Sequence, residues 1–280
     1  MQDPLQLLSV EKWSELQRVF KSDWPRGMPA YYTLETQKRW LEQGFYYGFK
    51  VYCPYGDLWN GMVGVNEKEG VYEIMVLCPR DDTKKLEEAL RRTNIINWNK
   101  TILVPFAPDH TVTCVQRVIG DFGVEVTTAK PFLFYYLDKN KPRIDVSLPP
   151  GITFDYLKED HVELINSKWP YRYPGSEWYF NQLVISKNGY GLYQNDNLVA
   201  WTFINEMGAL GHLFVLEDYR KKGFAEIILN LVCNKMLEDG KDALAFCDEE
   251  NIGVRNLFKK LGFIQSESVT WFFMNKSSNN

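Results

Sequence analysis

The residues with the clearest chemical potential stand together at Arg220-Lys221-Lys222-Gly223-Phe224-Ala225, between a strand-like run, Leu213–Val215, and a long amphipathic segment. A glycine-containing turn at a strand-to-helix junction lets main-chain amides converge. The unpaired N–H groups at the mouth of the helix then favour a bound phosphate. Lys221 and Lys222 add positive charge for it. Six letters alone fit an ordinary basic turn before a helix equally well, so context decides. That context is a second constellation beyond the next strand-like run: Asn251, a helical run VRNLFKKLG containing Phe258 and Gly262, then Phe263.

Titratable candidates flank the loop. His212 lies on the strand that leads into it, and a histidine titrates near neutrality. Strand alternation puts His212 on the face opposite Ala209 unless a bulge re-aims it; a half-buried structural histidine is the competing reading. Glu206 precedes the same strand and suits proton transfer through water, or is a solvated turn charge. Asp248 and Glu249 follow the next strand, at a sheet end where ligands gather in open sheets, or simply solubilise the loop. Cys247 has no histidine nearby in sequence and reads as structural. In Lys168–Phe180, KWPYRYPGSEWYF, the side chains Tyr171, Arg172 and Tyr173 suit an acceptor pocket, with Arg172 pairing a carboxylate. The plainer alternative there is a proline-broken loop pinned by aromatics.

YRKKGFA (Tyr219–Ala225) followed by Asn251, Phe258, Gly262 and Phe263 resembles the two signatures of the GNAT acyltransferase superfamily, over roughly residues 151–275. A narrower resemblance reaches further. INW (Ile96–Trp98), INSKW (Ile165–Trp169), LVAW (Leu198–Trp201) and LEDYRKKGF (Leu216–Phe224) look like the glycine N-acyltransferase-like family, whose members carry a degenerate GNAT-like domain before the catalytic one.

The resemblance implies an acyl-CoA or acetyl-CoA donor bound across a splayed sheet, with no metal. Its pantetheine arm would pair with the backbone of Phe214 and Val215. The cradle from Arg220 to Ala225 would hold the pyrophosphate, on amides of Lys221, Lys222, Gly223, Phe224 and Ala225, and Asn251 would touch the cofactor arm. A small amine acceptor, glycine or another amino acid, would attack the thioester directly, which requires a deprotonated amine and often protonation of the leaving thiolate. Two positions depart from the family pattern. The glutamate often found eleven residues before the loop is Ala209, and the tyrosine that commonly protonates the thiolate is Phe258. His212 and Glu206 are the substitutes available nearby. The alternatives to an N-acyltransferase are a CoA-binding protein with little turnover, or a GNAT domain acetylating protein amines with the N-terminal half as an interaction module.

These residues need a framework, and the pattern supplies a mixed α/β one, a sheet with helices packed on it. Helices are expected over Val10–Lys21, Leu34–Glu42, Lys84–Arg92, within His110–Gly123, up to Trp169, over Glu177–Ser186, and after the loop until Gly240. Strands are expected over Tyr46–Tyr52, Gly70–Leu77, Ile102–Phe106 and Phe132–Asp138, and in a hairpin turning at Asn195-Asp196-Asn197. Two more follow at DALAFC and ESVTWFFMN. The polar run Lys139–Gly151 holds three prolines and reads as a linker, which places a degenerate N-terminal domain at residues 1–145 and an acyl-CoA-binding GNAT domain at 146–280. A Trp-Pro echo, Glu15–Pro29 against His161–Gly175, fits either two copies of one fold or two unrelated helix ends.

Bulk properties remove other classes. Of 280 residues, 45% are hydrophobic and 15% aromatic, enough for two cores, while the net charge of -4 gives no electrostatic case for nucleic acid or an anionic membrane. The five cysteines are scattered without a C-x-x-C pair, so neither disulfides nor zinc are expected. A reducing compartment is the simplest reading, so the cytoplasm is expected, with the mitochondrion as the alternative that the family resemblance implies. The first twenty residues are too acidic for a transit peptide and lack the apolar run of a secretory signal. No motif specifies acyl chain length, acceptor or oligomeric state.

Overall fold

The computed structural model describes residues 2–45, 48–68 and 70–277. The chain forms two compact units, one made of Met1–Leu133 with Glu267–Asn280 and the other of Phe134–Ser266.

The first half of the chain runs β1 (Leu5–Leu7), α1 (Trp13–Lys21), α2 (Met28–Glu42), β2 (Lys50–Pro54), β3 (Met62–Lys68), β4 (Val71–Leu77), α3 (Lys84–Arg92), β5 (Ile102–Ala107), α4 (Asp109–Ile119) and β6 (Val124–Leu137). Spacing explains the helices. In α1 the buried face is Trp13, Leu16, Val19 and Phe20, and in α3 it is Leu86, Ala89 and Leu90 against otherwise charged positions. Strands β1 to β4 pair antiparallel, and β4 pairs parallel with β5 at Tyr72↔Ile102 and Glu73↔Leu103.

The second half of the chain repeats this order: β7 (Ile152–Tyr156), α5 (Val162–Lys168), α6 (Ser176–Ile185), β8 (Gly189–Gln194), β9 (Asn197–Ile204), β10 (Ala209–Val215), α7 (Phe224–Glu238), β11 (Ala243–Asp248), α8 (Ile252–Leu261) and β12 (Ile264–Lys276). Strands β7 to β10 are antiparallel and β10 is parallel to β11. The β8–β9 hairpin turns through Asn195 and Asp196, both at positive φ (49° and 64°), as a tight two-residue hairpin demands. Trp24-Pro25 joins α1 to α2, and Trp169-Pro170 joins α5 to α6, so the Trp-Pro echo occupies the same step of both runs.

The last strands do not stay with their own halves. β12 pairs antiparallel with β5, at Thr270↔Ala107, Phe272↔Val104 and Met274↔Ile102. Phe272 and Met274 join the first unit's core with Val63, Ile74, Val76 and Val104. In turn β6 lies beside β11, where Phe134 meets Phe246 at a ring-centroid distance of 5.4 Å. Each half thus completes its sheet with the other half's final strand.

A division at residue 145/146 differs from these units, which part at Leu133/Phe134 and return residues 267–280 to the first. Strand pairing is the reason. The run Lys139–Gly151 has neither helix nor strand, yet it is held within the second unit. Lys139 N–H donates to Asp242, and Ile144 bonds through both N–H and C=O to the Asn234 side chain. Other differences are local. α2 begins at Met28 rather than Leu34, because Pro29 sits in the first helical turn, where its missing N–H costs nothing. β3 was not anticipated, and the strand expected over Tyr46–Tyr52 is Lys50–Pro54, with Tyr46 and Tyr47 outside the described residues.

Candidate active site

Parallel pairing between β10 and β11 is registered at Ala209↔Leu244 and Leu210↔Ala245, although β10 runs on to Val215 and β11 to Asp248. The two strands therefore diverge towards their C-terminal ends. Leu216 N–H donates to Val199 on β9 (3.0 Å), so strand alternation turns the N–H and C=O of Val215 to the opposite edge, facing the divergence. There the Val215 carbonyl accepts from Arg220 Nε at 3.2 Å. Phe214, half-buried, stacks on Trp201 at 4.8 Å and carries the Arg220 guanidinium 5.5 Å from its ring centre.

The loop after β10 turns sharply. Lys221 and Gly223 both have positive φ, 61° and 83°, and Gly223 is the N-cap of α7. The first turn of a helix leaves its N–H groups without intrahelical partners, and here those amides begin at Phe224 and Ala225. Lys221, Lys222 and Gly223 are exposed, and Phe224 is buried as the anchor of the turn. A Cβ built on Gly223 meets nothing within 4 Å, so the space in front of the loop is open. An anion of diphosphate size fits this chemistry: converging amides, two lysines and free volume. The counterpart loop in the first unit, Cys78–Thr83, has no glycine; there Thr83 is the N-cap of α3, and the Asp82 carboxylate just before it accepts from Lys84 N–H at 3.1 Å. A carboxylate thus already stands at that helix start.

His212 sits in a β-bulge. Between the pairs Gly211↔Phe203 and Phe214↔Trp201, β10 has one residue more than β9, and His212 takes φ 55°. Simple alternation therefore fails here, and the imidazole is aimed by the bulge. It lies among four rings, with centroid distances of 5.5 Å to Trp169, 5.6 Å to Tyr179, 5.1 Å to Phe180 and 5.9 Å to Phe203. Its Nε2 is 3.2 Å from Tyr179 Oη, and that hydroxyl donates to Glu206 Oε2 at 2.8 Å. Glu206 is not a solvated turn charge: it is 2% exposed. Its turn is pinned by Asn205 Oδ1, which accepts from both Met207 and Ala209 N–H. Glu206 and His212 are thus brought together through Tyr179, a residue that helical periodicity in the sequence marks only as a core aromatic.

The remaining candidates have quieter surroundings. Asn251 is the N-cap of α8: its Oδ1 accepts from Val254 N–H at 3.1 Å. Phe258 is buried against Tyr135 and Phe263. Ala209 is fully buried and offers only a methyl group. Asp248 and Glu249 shape the turn before α8, through Asp248 Oδ1 to Glu250 N–H and the Glu249 carbonyl to Arg255. Burial first, then the neighbouring Asp248 charge, pushes the Cys247 thiol up to about 11, so it stays protonated and unreactive near neutrality. Tyr171 and Arg172 are exposed, and Arg172 makes one long contact, 3.4 Å, to the Ser167 carbonyl. Among the described residues no three His, Cys, Asp or Glu side chains gather as a metal ion would need, and no helix is long and apolar enough to cross a membrane.

Comparison with known proteins bears on the fold. The profile of the FR47-like protein family matches residues 189–272, from β8 into β12. An X-ray structure of a Drosophila protein, whose description states no activity, is similar over 99% of this chain and 100% of its own, at 20% identity and a TM-score of 0.86. A tandem GNAT protein from the clavulanic acid biosynthesis pathway is similar over 99% of both chains, at 11% identity and a TM-score of 0.56. A GNAT-family acetyltransferase from Colwellia psychrerythraea is similar over 96% of this chain and 98% of its own, at 15% identity and a TM-score of 0.53. At these identities the likeness speaks for fold alone. No protein of curated function matches the sequence. With a repeated β-α-α-β-β-β-α-β-α-β order and whole-length likeness to GNAT structures, the chain has the mixed α/β fold of the GNAT superfamily.

Proposed function

We propose that the protein is an acyl-CoA-dependent N-acyltransferase that acylates a small amine, glycine or another amino acid, in its second unit. The observation that supports this most is the divergence of β10 from β11 beside the open Gly223 loop. A strand edge with the Val215 N–H turned outward suits an amide-bearing pantetheine arm. A helix mouth with two lysines suits the diphosphate. The first unit, whose matching loop lacks a glycine and places Asp82 beside the helix start, is read as a degenerate GNAT-like domain.

The donor supplies an activated thioester; the chain must supply orientation and a proton acceptor, since an amine attacks only as the free base. His212 is the residue suited to take that proton, aimed by its bulge and backed by Tyr179 and Glu206. Arg172 is suited to hold the acceptor's carboxylate. Arg172→Gln is expected to raise KM for an amino-acid acceptor about tenfold, as loss of a charge-assisted contact does, with KM for the donor unchanged. An equal loss with a simple alkylamine would argue against carboxylate recognition.

A second reading, a CoA-binding protein with little turnover, is favoured by Ala209 and Phe258, where acid–base groups are common in relatives. A panel of acyl-CoAs and amines separates the two. Acceptor-dependent release of free CoA above background hydrolysis supports the transferase. CoA binding without such release across the panel supports the binding protein.

A further inference from the structure

We infer that Tyr179 is a positioning residue that fixes the tautomer of His212 and couples the ring to the buried carboxylate of Glu206. Proton supply decides the tautomer. A phenol has a single O–H to donate and lone pairs with which to accept. In the second unit the Tyr179 hydroxyl lies 2.8 Å from Glu206 Oε2 and 3.2 Å from His212 Nε2. The shorter contact takes the O–H, which donates to the Glu206 carboxyl group. With its proton committed there, the hydroxyl can only accept from the imidazole. His212 therefore carries hydrogen on Nε2, and its basic lone pair is on Nδ1.

Three separate elements build this arrangement. Tyr179 comes from α6, Glu206 from the β9–β10 turn and His212 from the bulge in β10. The turn is held by Asn205 Oδ1, and the imidazole is fixed from other sides by Trp169, Phe180 and Phe203. Such a chain does for His212 what an orienting carboxylate does for a general-base histidine elsewhere: it selects the tautomer and stabilises the ring once it has gained a proton. It also answers the departure at Ala209. The carboxylate missing from that strand position is provided three residues earlier and delivered through a phenol.

The tautomer can be read without any activity. The chain has three histidines, so 15N-histidine NMR of the full-length protein at a pH where the ring is neutral is tractable, with His212→Gln assigning the signal. The expected result is a protonated Nε2 and an unprotonated Nδ1 for His212, with that preference lost in Tyr179→Phe. The kinetic consequence rests on the transferase reading. With an active donor and acceptor, Tyr179→Phe should lower kcat about 10- to 100-fold, the scale of orienting partners, with CoA affinity intact. Tyr179→Phe and Glu206→Gln should each move the acid limb of the pH–kcat/KM profile to lower pH, since either change removes support for the protonated ring. The double variant should lose no more than the worse single one. Hydrogen on Nδ1 in the wild type, or a Tyr179→Phe variant with unaltered tautomer and pH profile, overturns the inference. If the wild type shows no acceptor-dependent release at all, the transferase reading fails while the NMR result still decides the tautomer.

Discussion

Replacing Gly223 by glutamate is expected to abolish CoA binding, a loss of at least about 100-fold in affinity, the scale of several charge-assisted contacts removed together. Gly223 has φ 83°, so any side chain there carries about 1 kcal/mol of backbone strain. The space around a Cβ is open, so the protein should fold and the loss should appear in binding. The larger effect is electrostatic: a carboxylate would lie at the helix mouth and compete for the amides that otherwise meet phosphate, as Asp82 takes Lys84 N–H in the first unit. Gly223→Ala, which has the strain without the charge, should lose much less. Titration calorimetry measures both. Unchanged affinity in Gly223→Glu would mean that the anion site lies elsewhere.

The second large effect concerns Phe272. Its ring is 1% exposed in the first unit's core, although it lies near the end of the chain, far beyond the Lys139–Gly151 connection. Phe272→Ala should cost about 3–5 kcal/mol, as emptied aromatic sites in packed cores do. The damage should be local: hydrogen exchange should quicken in β4 and β5, where Phe272 packs and pairs, while β8 and β9 keep their protection. Faster exchange confined to β8 and β9 would show that the final strand belongs with the second half.

What the sequence discloses follows from how local its physics is. The loop Arg220–Ala225, the helix after it and the N-cap Asn251 are set by neighbours in the chain, through glycine at positive φ and Asx capping, and so they are legible as letters. The same holds for α3, whose ends match its charge and apolar spacing. Strand partners are not local. A period of two tells which face of ESVTWFFMN is apolar but not that β5 is its neighbour, so the exchange of β6 and β12 was not readable. His212 lies between these cases. Alternation assigns it one face, and only the extra residue in β10, visible in the register with β9, re-aims it. Glu206 reads as a turn charge because sequence does not report that the turn is buried. Tyr179 reads as helix core because nothing in its spacing points to a carboxylate 27 positions later.

Where coenzyme A lies is the most direct test. A crystal of the full-length protein soaked with CoA should contain one molecule per chain, with diphosphate oxygens about 2.8–3.0 Å from main-chain amides between Lys221 and Ala225, the normal range for such bonds. Density for the diphosphate at the Cys78–Thr83 loop of the first unit, or at any other surface, would contradict it.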